Sequence, residues 1–135
     1  MKSLIVFSLL AVAFVFIGCN KAHNSNIEKQ SFVFTGKWNY SQRSYSPGGP
    51  LIYESTRSLN QWIIFRKDSS ISSNMPRFQK FGSYSLTDSV TLRFSGITQP
   101  DALYFYHFDP ETGKLSLSSA INVCIEGCAD IFTKL

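Results

Sequence analysis

The sequence predicts an all-β protein: an up-and-down antiparallel meander of about eight short strands, closed into a small barrel that leaves no sheet edge. Three observations carry that expectation. Aromatic residues are abundant, with 12 Phe, 6 Tyr and 2 Trp among 135 residues, and such side chains suit the pleated, half-buried surface of a strand. Apolar and polar residues alternate with a period of two in several segments, which turns one face of each strand inward. Turn residues punctuate the chain at short intervals, and beyond the first residues no apolar stripe of helical period is seen. A two-sheet β-sandwich is the alternative, because alternation does not show closure.

In the first strand Trp38, Tyr40 and Gln42 alternate with Asn39, Ser41 and Arg43. Ser46-Pro47-Gly48-Gly49-Pro50 ends it in a loop, since proline and glycine favour turn dihedrals. Gln61 to Arg66 is a dense run of β-forming residues, stopped by Lys67-Asp68-Ser69-Ser70. Phe78 to Leu86 reads as the next strand, with Gly82 marking a bulge. After Thr87-Asp88, Val90, Leu92 and Phe94 alternate with Thr91 and Arg93, completing a hairpin. A loop from Gly96 to Asp101 precedes an apolar-aromatic strand from Leu103 to Phe108. Asp109-Pro110-Glu111-Thr112-Gly113 turns the chain into Leu115 and Leu117, and a Cys-containing connection leads to a last strand, Ile131 to Lys134.

Ahead of this domain, Lys2 and the apolar run from Leu4 to Ile17 have the form of a signal sequence. The run is shorter than the roughly 20 residues that span a bilayer and suits the h-region of a leader. Phe16-Ile17-Gly18-Cys19 resembles the lipobox read by lipoprotein signal peptidase, with Phe16 in place of the usual Leu. The resemblance implies cleavage before Cys19 and acylation of that residue, palmitate included. Each buried CH₂ contributes about 0.8 kcal/mol, so one chain holds marginally and several hold firmly. A plain secretory signal and an uncleaved anchor are the competing readings. The polar, aperiodic residues 20–31 read as a tether. The organisation is therefore a signal peptide (1–18), a lipidated cysteine with its tether (19–31) and one barrel domain (32–135). The implied location is the bacterial cell envelope, as an outer-membrane lipoprotein that is periplasm-facing or surface-exposed. The absence of an acidic cluster after Cys19 leans toward the periplasm.

The net charge of +4 is spread singly, with no basic run longer than Arg66-Lys67. That pattern is a solvated surface and excludes a nucleic-acid footprint. With Cys19 lipidated, Cys124 and Cys128 form an even pair in a compartment that permits disulfides.

Gly36-Lys37-Trp38 resembles the Gly-x-Trp signature on the first strand of lipocalin-type barrels. The resemblance gives Gly36 and Trp38 structural roles, with the Trp plugging one end of the barrel against a basic residue of a late strand, here Lys134. The tail from Cys124 to Lys134 is similar to the C-terminus of small lipocalin-like lipoproteins of Bacteroidota, many of them uncharacterised. That family implies fold and envelope location and supplies neither a ligand nor catalytic residues. Asp88-Ser89-Val90 resembles an O-glycosylation acceptor of exported proteins in the same bacteria, with a plain turn as the alternative.

Candidate chemistry is sparse. The Cys-x-x-x-Cys spacing of Cys124 and Cys128 brings a structural disulfide within reach on a tight turn, worth about 2 kcal/mol on the chain-entropy model. A redox dithiol and a metal site are the alternatives; a redox motif is usually Cys-x-x-Cys, and His107 is the one histidine beyond the tether. His107 lies on a strand, Asp109 and Glu111 belong to a turn, and Gly48-Gly49 sits between prolines. No catalytic constellation, cofactor or metal is expected from them. The inward aromatics of a barrel either fill it or line a pocket. Trp62, Phe94, Tyr104 and Tyr106 are the candidate ligand-binding residues, with Arg93, or Arg43, fixing a polar end. The expected function is non-catalytic binding of a small apolar or aromatic ligand. The alternative is a solid-core envelope module that binds a protein or glycan through its loops.

Overall fold

The computed structural model describes residues 34–121 and 127–135. The described chain is all-β, with one 3-10 turn at Arg57–Leu59. Its strands are β1 (Gly36–Tyr45), β2 (Ile52–Ser55), β3 (Trp62–Phe65), β4 (Ile71–Ser73), β5 (Phe81–Leu86), β6 (Thr91–Gly96), β7 (Ala102–Asp109), β8 (Lys114–Ser119) and β9 (Ala129–Lys134). Eight of them run in the order β4-β3-β1-β9-β8-β7-β6-β5, every pair antiparallel, while β2 lies off this path on β1. The two ends meet through the Ser70–Ser83 bridge and the Tyr84 amide, which donates to the Ser69 carbonyl at 2.9 Å. The sheet is thus nearly closed into a small lipocalin-like barrel, and the sandwich alternative falls away.

Strand directions define two ends. The start of β1, the end of β9 and the turns at 66–70, 87–90 and 110–113 lie at the lower end. The β1–β2 loop, the segment 74–80, the β6–β7 loop, the end of β8 and the start of β9 belong to the upper end. Buried Trp38 sits toward the lower end, its indole Nε1 donating to the Phe34 carbonyl at 2.8 Å. Lys134 Nζ lies 5.5 Å from the indole centroid, the contact expected for the Gly-x-Trp tryptophan. At Gly36, φ is +127° and an added Cβ would stand 3.2 Å from Lys134 Cε, so glycine lets β1 begin close beneath that side chain.

The interior is filled. Phe34, Trp38, Phe65, Phe78, Phe94 and Phe132 are all essentially sealed from solvent, with Ile63, Leu92, Leu115 and Leu117 between them. Rings meet edge-on or tilted, as Phe65 with Tyr84 at 4.9 Å and Phe94 with Tyr104 at 5.2 Å, geometries their quadrupoles favour.

Besides β4, a short strand that falls between two expected ones, three features depart from the sequence expectation. The strand expected over Phe78 to Leu86 begins only at Phe81. Residues 76–80 instead form a tight turn, with the Phe78 and Gln79 amides donating to the Met75 carbonyl. Side-chain bonds force that turn: Ser73 Oγ donates to the Trp62 carbonyl at 2.6 Å, and Asn74 Oδ1 accepts from the Trp62 amide at 2.7 Å. Met75 and Phe78 drop into the barrel as a plug, and Phe78 meets Phe81, Phe94, Tyr104 and Phe132. Secondly, β2 is a strand with no buried residue, so it leaves no hydrophobic period to read. Thirdly, Val90 lies in an exposed four-residue turn, where Asp88 Oδ1 accepts its amide at 2.8 Å, rather than in the strand. The bulge expected at Gly82 is present, as a register shift between Phe81 and Ser83.

Candidate functional site

A second bulge builds the upper end. Strict alternation along β1 puts Gln42 on the face of Trp38 and Tyr40, and Arg43 on the opposite one. The β1–β9 register runs Tyr40–Phe132, then Gln42–Ile131 and Arg43–Asp130. Paired residues share a face, so the extra residue, Ser41, reverses the alternation and brings Arg43 onto the face of Asp130. Buried Ser41 holds the bulge by donating from Oγ to the Ile131 carbonyl at 3.0 Å.

The result is a cleft of about 660 Å³ at the barrel mouth, lined among others by Tyr40, Arg43, Arg77, Tyr104, Leu117 and Asp130. Arg77 comes from the plug segment and grips Asp130 with both terminal nitrogens, Nη2 at 2.8 Å from Oδ1. The aspartate side chain is 8% exposed and the arginine 46%. Burial pushes the Asp130 carboxyl above the ordinary carboxylate range, outweighing the opposing pull of Arg77 and the bond from Tyr40. Burial beside Asp130 likewise pushes the Tyr40 phenol up to about 12. Arg77 also lies over the rings of Tyr40 and Phe78, at 5.8 and 5.7 Å. At the rim, Arg43 Nε donates to Glu54 Oε2 at 2.8 Å, an exposed pair.

The sequence-predicted ligand residues do not converge on one place. Phe94 is sealed in the core, where it packs rather than binds. Tyr104 lines the mouth cleft. Tyr106 is half-buried lower on β7, edge-on to Phe34 at 4.7 Å. Arg93 is exposed on the outer face of β6, and Trp62 faces outward beside Ile63, which points in. Of the two predicted arginines, Arg43 reaches the mouth. Arg77 and Asp130 escaped sequence reasoning because they are far apart in the chain and carry no motif; the strand that was expected to contain Phe78 hid the turn beside it.

Ser89 is exposed in the lower hairpin. Exposed His107 faces outward on β7. The leader, Cys19, the tether and Cys124 lie outside the described residues, and with Cys124 the Cys124–Cys128 pairing. Among the described residues no group of three His, Cys, Asp or Glu side chains is placed to hold a metal.

Fold and cleft together define a class: a small up-and-down barrel with a filled interior and a polar-aromatic mouth. The chain matches no protein-family model, and neither curated proteins nor solved structures give a significant match.

Proposed function

We propose that the protein is a lipid-anchored cell-envelope binder, non-catalytic, whose small ligand sits in the mouth above the filled barrel. The carrying observation is the cleft itself: about 660 Å³, inside the roughly 300–1,000 Å³ range of small-molecule sites. Tyr104 and Leu117 offer an apolar wall to a planar or aliphatic body, and Arg43 and Arg77 offer charge to an anionic end. The Arg43–Glu54 pair is exposed and screened by solvent, so a bound anion recruits its arginine at little cost. In this reading Cys19 carries the acyl chains in the outer membrane, Cys124 and Cys128 form a disulfide, and Ser89 is an O-glycan acceptor. The barrel belongs to the lipocalin-like lipoproteins that its Gly-x-Trp and tail resemble.

The test is native mass spectrometry of the full chain, taken in mild detergent from its own membrane. A reproducible extra mass, released by organic solvent and absent in Arg43→Ala with Tyr104→Ala, is the expected result. A bare acylated mass in every preparation would overturn it. That outcome favours the second reading, a solid-core interaction module. Its supporting observation is the exposed strand β2, whose Ile52 and Tyr53 stand on the surface.

A further inference from the structure

A second concavity opens on the outer wall of the barrel and shares Tyr40 with the mouth cleft. It encloses about 460 Å³ across β3, β1 and β9, and its lining includes Lys37, Asn39, Asn60, Gln61, Trp62 and Thr133. Register explains the gathering. Asn39 is opposite Trp62 on one side and Thr133 on the other, so the three form one outward row. The loop before β3 adds Asn60 and Gln61 and is held from two directions. Asn74 Nδ2 donates to the Asn60 carbonyl at 3.0 Å, and the Gln61 carbonyl accepts from the Tyr40 amide at 2.9 Å. Asn60 itself sits at φ 49°, a left-handed conformation that asparagine tolerates. Lys37 Nζ, 5.3 Å from the Trp62 centroid, steadies the indole.

The donor set is particular. Besides the cations Lys37 and Arg57, the groove holds three carboxamides and a hydroxyl, each of which both donates and accepts hydrogen bonds, as the hydroxyls and acetamido groups of a sugar do. An indole supplies a flat apolar surface with a polar edge, which matches the C–H face of a pyranose ring. We infer that this outer groove of Trp62, Asn39, Asn60, Gln61 and Thr133 binds an oligosaccharide, independently of whatever the mouth holds.

Calorimetric titration of the full chain in detergent, with tetra-N-acetylglucosamine and with maltotetraose, tests the assignment. At least one tetrasaccharide should bind. Trp62→Ala and, as a milder change, Asn39→Ala should each weaken that binding at least tenfold while keeping the wild-type melting transition. The mouth variant Arg43→Ala should bind sugar as the wild type does. The inference is overturned if neither tetrasaccharide binds, if binding survives both groove substitutions, or if a hexaglutamate peptide or a short single-stranded oligonucleotide binds the groove as tightly.

Discussion

Asp130 shows how one residue sets the character of the mouth. A carboxylate this buried is tolerated because Arg77 and the Tyr40 hydroxyl face it, yet its folded pKa remains above the ordinary value. For a raised carboxyl the linkage sign is fixed: its contribution to stability is fully present below the unfolded pKa and is lost as pH rises through the folded one. Asp130→Asn should therefore flatten the pH dependence of stability in the weakly acidic range. Its one oxygen still accepts, but its amide nitrogen turns a donor toward the second Arg77 nitrogen, so a loss of about 1 kcal/mol is expected at neutral pH. Arg77→Ala leaves the charge buried without its grip and should cost about 3 kcal/mol at pH 7. Urea unfolding at several pH values reads both. An Asp130→Asn loss as large as that of Arg77→Ala would show the pair to be net stabilising. Tyr40 obeys the same rule one range higher. With its phenol at about 12, the stability it contributes persists to about pH 10 and fades above, through the folded value.

Among the elements, the plug at 74–80 is the one that decides between a filled and a hollow barrel. Phe78 is fully buried against four other rings, so Phe78→Ala should destabilise by about 3–5 kcal/mol through the cavity it leaves. If the shell does not collapse, the variant should also gain uptake of an apolar dye, read by fluorescence; unchanged stability would deny the plug its role. Gly96 supports the same end of the barrel: an added Cβ would stand 1.8 Å from the Gln99 carbonyl oxygen. Gly96→Ala must therefore shift the β6–β7 loop and should cost at least about 2 kcal/mol in the same unfolding assay. These elements also show where the sequence was legible. The 81–96 hairpin, its Gly82 bulge, the Asp109–Gly113 turn and the final strand all announce themselves through local chemistry, such as Asp109 Oδ1 accepting from the Glu111 amide. β2 was invisible because none of its residues is buried. The β1 bulge was invisible because Ser41 fits a polar position of a regular strand and declares its role only through Ile131, 90 residues away. Of the mouth, the aromatic Tyr104 was readable and the Arg77–Asp130 grip was not.

For the whole molecule, the decisive feature is that closure is uneven. β7 and β8 share six paired positions, and β1 and β9 another six around the bulge. The β4–β5 seam has one bridge, the Tyr84 amide bond to Ser69, and the Tyr84 hydroxyl donating to the Arg66 carbonyl at 3.0 Å. Beneath the seam lies the Phe65–Tyr84 ring contact, so opening it uncovers the core from the side without disturbing the β7–β8–β9–β1 wall. Local opening follows the sparsest bonding. In native-state hydrogen exchange the Tyr84 amide should therefore exchange by a local opening well below the global unfolding free energy, while amides of β8 and β9 exchange only with global unfolding. Tyr84→Phe removes the hydroxyl bond and keeps the ring. It should cost about 1 kcal/mol and speed exchange on β4 and β5 with no change on β8. Equal protection of Tyr84 and the β8 amides would show that the seam is no weaker than the wall. In that case the barrel would open only as a unit.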